Sequence, residues 1–325
     1  MAAGHNPRLA GARRPGRKNP LTPVRKLVWT LVVIVSVVIA IAVAFYERPV
    51  SFFNRLLYTQ MALAGVHSHY VMVEGHRMHY YVAGPSDGPA VVLVHGLGGQ
   101  AEDWRNLSPF LRALGYRVYL PDLFGFGRSD RPVDFSYSIP DQAASVFAFM
   151  DAMNLRQVDL GGWSMGGWIV QRMAADHPER IRKLMIFDSA GLYVQPAWNT
   201  ALFTPTTSVE LDQLDTLLMP QPPQVPAFIA HDILRIARNH AWVMHRALNS
   251  MLTGQDTTDA LLPRLNMPVL LVWGQLDQIM PLAQGEKMHQ LIPQSKLEVV
   301  PDCGHMAPVQ CADRIGPQVQ AFLKQ

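Results

Sequence analysis

Gly162-Trp163-Ser164-Met165-Gly166 joins the short apolar run VDLG to WIVQRMAADH, a stretch with helical periodicity. A chain that turns from strand to helix within five residues needs glycines flanking the turn, because a side chain there would crowd the crossing backbone. Such a turn lifts the serine hydroxyl clear of the sheet and aims the N-terminus of the following helix at it. The pentapeptide alone is a weak signal; the strand before it and the helix after it give it weight.

The rest of the chain fits the same plan. Short β-branched runs at 77–83, 90–95, 117–121, 157–161, 184–188, 269–273 and 295–300 alternate with longer amphipathic stretches, which predicts an α/β fold with a mostly parallel central sheet flanked by helices. Strand signals stop between Gly191 and Pro268, where helical patterning is interrupted by Pro220, Pro222, Pro223 and Pro226. An insertion of that length reads as a helical cap over a site, with loose packing against the sheet edge as the plainer alternative.

From Leu27 to Phe45 the sequence LVWTLVVIVSVVIAIAVAF carries no charge and is long enough to cross a bilayer as a helix. Seven basic side chains precede it (Arg8, Arg13, Arg14, Arg17, Lys18, Arg25, Lys26) with no acid among them. The positive-inside rule then predicts one span, a cytoplasmic N-terminus and an extracytoplasmic catalytic domain, periplasmic in a bacterium. A cleaved signal peptide is the rival reading, since Ala42-Val43-Ala44 resembles a cleavage site, but the run is longer than an ordinary signal core. The expected division is a basic tail at 1–26, an anchor at 27–46, a juxtamembrane helix or linker at 47–69, a core at 70–190 and 269–325, and the cap at 191–268. Phe52, Phe53, Leu56 and Leu57 fall at helical spacing in the juxtamembrane part, which suits a helix lying on the bilayer or an ordinary packing helix.

A serine hydroxyl needs a base within hydrogen-bond reach and an acid to hold that base. Chain order after Ser164 points to His305, in PDCGH just past the last strand, as base. Asp277, in WGQLD directly after the strand VLLVW, is the favoured acid, and Asp188 at the end of the preceding strand is the runner-up. Backbone N–H groups of Leu97, in the loop HGLGG, and of Met165 are expected to form an oxyanion hole. Gly96, Trp163, Met306, Trp198 and Phe203 are expected to border the substrate, while Trp104 and Trp168 are more simply read as packing and Asp122 as a loop former.

Apolar residues make up 49% of the chain and charged ones 16%, so a large core is available. Once the N-terminal basic tract is set aside the remainder is slightly acidic, which gives no reason to expect nucleic-acid binding. The two cysteines, Cys303 and Cys311, have no partners at metal-ligand spacing, and two free thiols are favoured over the bridge that an oxidising compartment would allow. Neither a metal nor an organic cofactor is implied, and the oligomeric state is left open.

HGLGG, DLFGFGRSD, GWSMGG, WGQLD and CGH, in this order, resemble the α/β-hydrolase superfamily over nearly all of residues 70–325. The resemblance implies a Ser164–His305–Asp277 triad and an oxyanion hole at Leu97 and Met165. Serine at the elbow counts against the epoxide-hydrolase and haloalkane-dehalogenase branches, which use aspartate there. The apolar N-terminal run together with GWSMGG and DSAGLY looks like membrane-anchored monoacylglycerol lipases and related bacterial lipases. That likeness implies a lipid ester as substrate, with membrane lipid as a partner. Carbon–carbon hydrolases of aromatic degradation share the S-M-G-G elbow but typically carry tryptophan after the histidine, where this chain has Met306. A ligand receptor kept on the same fold is the remaining alternative.

Overall fold

The structure, a computed structural model, describes Met1 and residues 22–325. Arg8, Arg13, Arg14, Arg17 and Lys18 of the basic tract lie outside the described residues. The chain divides into two units, Met1–Glu47 and Arg48–Gln325. In the first, helix α1 (Pro23–Glu47) has all its side chains exposed. Among the described residues it is the one helix long and apolar enough to cross a membrane, by length and composition.

The second unit opens with α2 (Pro49–Leu63), followed by β1 (Val66–Val73), β2 (His76–Ala83), β3 (Ala90–Val94), α3 (Ser108–Arg112), β4 (Arg117–Pro121), α4 (Ile139–Ala152), β5 (Val158–Trp163), α5 (Met165–Asp176) and β6 (Ile181–Phe187). Next come α6 (Ser208–Leu218) and α7 (Ala227–Met251). The chain then returns to the sheet with β7 (Val269–Gly274), α8 (Leu282–Leu291), β8 (Ser295–Val300), α9 (Ala307–Gln310) and α10 (Ala312–Leu323). The eight strands are ordered β1-β2-β4-β3-β5-β6-β7-β8. Pairing is parallel from β4 through β8, and antiparallel for β1 with β2 and for β2 with β4.

Parallel central strands are covered on both faces, so their residues are buried whichever way they point. In β3, Val92 and Val94 enter one apolar layer and Val91 and Leu93 the other, all four fully buried. Each such side chain contributes about 1.5–3 kcal/mol relative to exposure. Edge strand β1 differs, which explains why periodicity does not reveal it. Only Val66 and Val73 of its eight residues are buried, and the exposed HSHY between them has no apolar alternation. Its place is set by the two-residue turn Glu74-Gly75, with φ of 50° and 83°, which pairs it to β2 along its whole length.

The segment between β6 and β7 holds α6 and α7 and contributes no strand. Helix α6 starts on a reciprocal capping box in which Thr207 accepts from the Glu210 N–H and Glu210 accepts from the Thr207 N–H. Helix α7 is joined to the start of α2 through Asp232, which is fully buried. Its Oδ2 accepts the Val50 N–H at 3.1 Å, and Oδ1 accepts from Arg235 Nη2 and Nε at 2.6 and 2.9 Å. A carboxylate at the N-terminus of α2 also opposes that helix's positive end. Asp232→Ala leaves Val50 N–H and Arg235 without this acceptor, and is expected to cost about 1–3 kcal/mol, read as a lower Tm in thermal unfolding. An unchanged Tm would mean that apolar packing alone seats α2.

Candidate active site

Ser164 ends β5 and caps α5 with φ 57° and ψ −120°, a conformation that L-residues rarely adopt. The elbow glycines are there because nothing larger fits. A Cβ on Gly162 would lie 2.2 Å from the Gly166 carbonyl oxygen, and one on Gly166 would lie 2.2 Å from that of Val94. Close approach of β5, α5 and β3 therefore holds the serine at the carboxyl end of the sheet.

Three side chains from three loops meet there. His305 Nε2 stands 2.9 Å from Ser164 Oγ, and His305 Nδ1 stands 2.8 Å from Asp277 Oδ2. The series fixes the tautomer: Nδ1–H donates to the carboxylate, leaving Nε2 to accept the serine proton. Asp277 is oriented in turn by the N–H groups of Ile279 and Met280, both 2.8 Å from Oδ1. His305 and Asp277 are buried, and Ser164 is partly exposed to a cavity of about 610 Å³.

Asp188 is fully buried at the end of β6, but it is not the imidazole's partner. Its Oδ1 accepts the Gly274 N–H at 2.6 Å, while Oδ2 has no partner among the described residues. Burial, and then the charge of nearby Asp277, push its carboxyl well above the usual carboxylate range.

Leu97 lies in a turn closed by Gly99 N–H to Gly96 O at 3.1 Å, with Gly98 at φ 70°. This arrangement leaves the Leu97 N–H outside the turn's own hydrogen bond. Met165 is the first residue of α5, so its N–H has no acceptor within the helix. Gly96 packs against the nucleophile, since a Cβ there would be 3.0 Å from Ser164 Cβ. His95 fixes this loop: its Nδ1 bonds Gly96 O at 2.8 Å and its Nε2 accepts the Leu123 N–H at 3.0 Å. Complete burial lowers the imidazole's pKa, keeping it in the neutral form that this pairing requires.

Trp163, Met306 and Phe203 line the cavity with Ser164 and His305. Trp198 does not. Its indole N–H donates to Ile279 O at 3.0 Å, and the ring borders a separate cavity behind the loop that carries Asp277. Helix α2 also reaches the site, through Ser51, Asn54 and Tyr58, a contribution that helical spacing of its apolar residues does not foretell.

The cysteines correct the sequence expectation of free thiols: Cys303 and Cys311 form a disulfide with Cα atoms 6.5 Å apart. They are eight positions apart in sequence, but the chain turns back through α9 and brings the two buried side chains within bridging reach. The bridge closes the loop that carries His305. The same loop is tied by Trp163 Nε1–H to His305 O at 2.7 Å, by His305 N–H to Leu218 O at 3.0 Å, and by Leu276 N–H to Cys303 O at 2.8 Å.

A hydroxyl, an imidazole and a carboxylate in hydrogen-bonded series can open a carbonyl centre by covalent catalysis. The family model for the alpha/beta hydrolase fold matches residues 89–231 and 252–310. The chain belongs to the α/β-hydrolase family. Lipase 3 of Moraxella sp. (strain TA144) is 27% identical over 77% of this chain and 82% of its own length. A 2-hydroxy-6-oxononadienedioate/2-hydroxy-6-oxononatrienedioate hydrolase of Comamonas testosteroni is 32% identical over 76% of this hydrolase and 91% of its own length. The crystal structure of a membrane phospholipase A superimposes with a TM-score of 0.78 and 27% identity, covering 92% of this chain and 98% of that one.

Two outcomes test the site. Asp277→Asn should slow phosphonate labelling of Ser164 by about 10³–10⁴-fold, whereas Asp188→Asn, at a carboxyl that does not bond the imidazole, should change it by less than about tenfold. Replacing both Cys303 and Cys311 with Ser should lower stability by about 2–3 kcal/mol in denaturant unfolding and slow the same labelling. Unchanged labelling would mean that the Trp163 and Leu218 hydrogen bonds hold His305 unaided.

Proposed function

We propose that this hydrolase is a membrane-anchored serine carboxylic-ester hydrolase acting on lipid esters such as a monoacylglycerol. The observation that carries the reading is the unbroken series from Ser164 Oγ through His305 to Asp277, set beside the N–H groups of Leu97 and Met165. Ser164 Oγ attacks the ester carbonyl while His305 Nε2 takes its proton. The two N–H groups hold the oxyanion of the tetrahedral intermediate, and the His305 imidazolium, stabilised by Asp277, returns the proton to the leaving alcohol. Water activated by the same imidazole then attacks the acyl-serine and releases the acid.

Lipid specificity is supported by the cap, whose Leu211, Leu214, Leu218, Ile233, Ile236 and Met244 give the cavity aliphatic walls. Anchoring is supported by the length and apolarity of α1. An extracytoplasmic catalytic unit is supported by the Cys303–Cys311 bridge, since disulfides persist in oxidising compartments. The lipases and the membrane phospholipase A among its relatives point the same way.

A second reading, hydrolysis of a carbon–carbon bond in a vinylogous diketone acid, is favoured by the 32% identity to the Comamonas enzyme. Met306 stands where such enzymes typically carry tryptophan. The test is turnover of p-nitrophenyl esters from acetate to palmitate by the full chain in detergent micelles, with Ser164→Ala as control. The expected result is multiple turnover with a preference for medium or long acyl chains, reduced by at least about 10³-fold in the variant. Turnover of 2-hydroxy-6-oxodienoates with none of any ester would establish the second reading, and a single acylation without release would point to a receptor.

A further inference from the structure

The cavity beside Ser164 has aliphatic walls but also carries Arg128, Arg131, Arg235 and His240. Two of the three arginines are already matched. Arg235 is bound by Asp232 at 2.6 and 2.9 Å. Arg128 lies 3.5 Å from the buried Glu102 and over the rings of Tyr58 and Tyr81, at 4.4 and 4.8 Å from their centroids.

Arg131 is not. Among the described residues no carboxylate lies within 4.0 Å of it. Asp122 and Asp130 act on it only from farther away. Asp122 is engaged by His79 at 2.7 Å and Asp130 by Arg77 at 3.2 Å. Two Arg131 nitrogens donate to backbone, Nη2 to Gly127 O at 2.9 Å and Nη1 to Ser129 O at 3.4 Å, while Nε is buried with no hydrogen-bond partner. Across from it on α7, His240 has no side-chain hydrogen bond among the described residues, and burial followed by the charge of Arg131 lowers its pKa. The remaining carboxyl on the cavity wall, Asp103, accepts the Gln100 N–H at 2.9 Å, and burial raises it to about 7, which lessens its negative charge.

A half-buried guanidinium with spare donors and no counter-charge is unfavourable until an anion joins it. Its planar fork is suited to the paired oxygens of a phosphate or carboxylate. We propose that Arg131, assisted by His240, forms an anion subsite in this cavity, so that the preferred substrate carries a phosphate ester or carboxylate in addition to its acyl portion, a charged group that a neutral monoacylglycerol lacks. As a statement about substrate it rests on the ester-hydrolase reading; as a statement about binding it does not. Leu214, Leu218 and Ile236 hold the apolar chain while Arg131 takes the charged group. A phosphate would come from a lipid headgroup, and a carboxylate from a small unsaturated acid.

The test is calorimetric binding of hexyl phosphate, 2,4-hexadienoate and 1-hexanol to the full-length protein in detergent, which needs no turnover. At least one anion should bind about tenfold or more tighter than hexanol, as one charge-assisted hydrogen bond of 1.5–3 kcal/mol implies. Arg131→Gln should reduce that preference to less than about threefold, and Arg131→Lys, which keeps the charge but loses the paired donors, should retain only part of it. Preference for hexyl phosphate identifies the lipid source, and preference for hexadienoate the small acid. Should Arg131→Gln fail to fold, His240→Glu supplies a carboxylate to Arg131 in place of the ligand and should abolish the preference. Equal binding of anions and hexanol by the unsubstituted protein overturns the proposal, as does a full preference in a folded Arg131→Gln or His240→Glu variant. Ester turnover without anion preference would remove the subsite and leave the ester reading standing.

Discussion

The strained backbone of Ser164 is stable only because β3, β5 and α5 approach too closely for any side chain at Gly162 or Gly166. Relaxing the serine to an ordinary conformation would mean separating those elements and opening the densest part of the sheet. Local strain of about 1–3 kcal/mol is thus held by packing energy that the fold has in any case. Everything else at the site is arranged around a hydroxyl whose position cannot drift. The loop carrying Leu97 follows the neighbouring strand β3, and the two loops bearing Asp277 and His305 follow β7 and β8.

Those loops are held by backbone and covalent ties. The His305 segment is fastened at its carbonyl by Trp163, at its N–H by the last turn of α6, and across its base by a disulfide. The bond to Leu218 ties His305 to the insertion between β6 and β7, so helices that line the cavity also hold the imidazole in place. Charge is distributed with equal economy. Two carboxyl groups, Asp188 and Asp277, share this buried region, and burial together with nearby Asp277 pushes the Asp188 carboxyl well above the usual carboxylate range. Asp277 is held by two N–H groups and the imidazole, whereas Asp188 faces the backbone N–H of Gly274.

The cavity combines chemistry from distant parts of the chain. Aliphatic walls come from α6 and α7, polar groups come from α2, and cations come from the 125–131 loop and α7. Helix α2 enters through Asp232, which holds its first turn against α7. Mixed walls of this kind suit a ligand with a long apolar part and a charged end, and they bring into one pocket residues separated by almost two hundred positions.

Periodicity and motif order were enough for much of this. The strand runs, the turn residues around Ser164, and the placement of His305 and Asp277 after successive strands are local signals, because each depends on residues within a few positions of one another. By itself the sequence determined a mostly parallel sheet with a serine at its central turn, one apolar helix and a helical insertion. Strand β1 escaped because an edge strand with both ends buried and its middle exposed has no period-two pattern. Tertiary structure alone decided that Trp198 borders a different cavity, that Cys303 and Cys311 are joined, that α2 lines the pocket, and that among the described residues Arg131 lacks a carboxylate while Arg235 and Arg128 have one. Each of these is a distance between residues remote in sequence or turned back on each other by a loop, and such distances are fixed by how helices pack on the sheet, which no local pattern of side chains records.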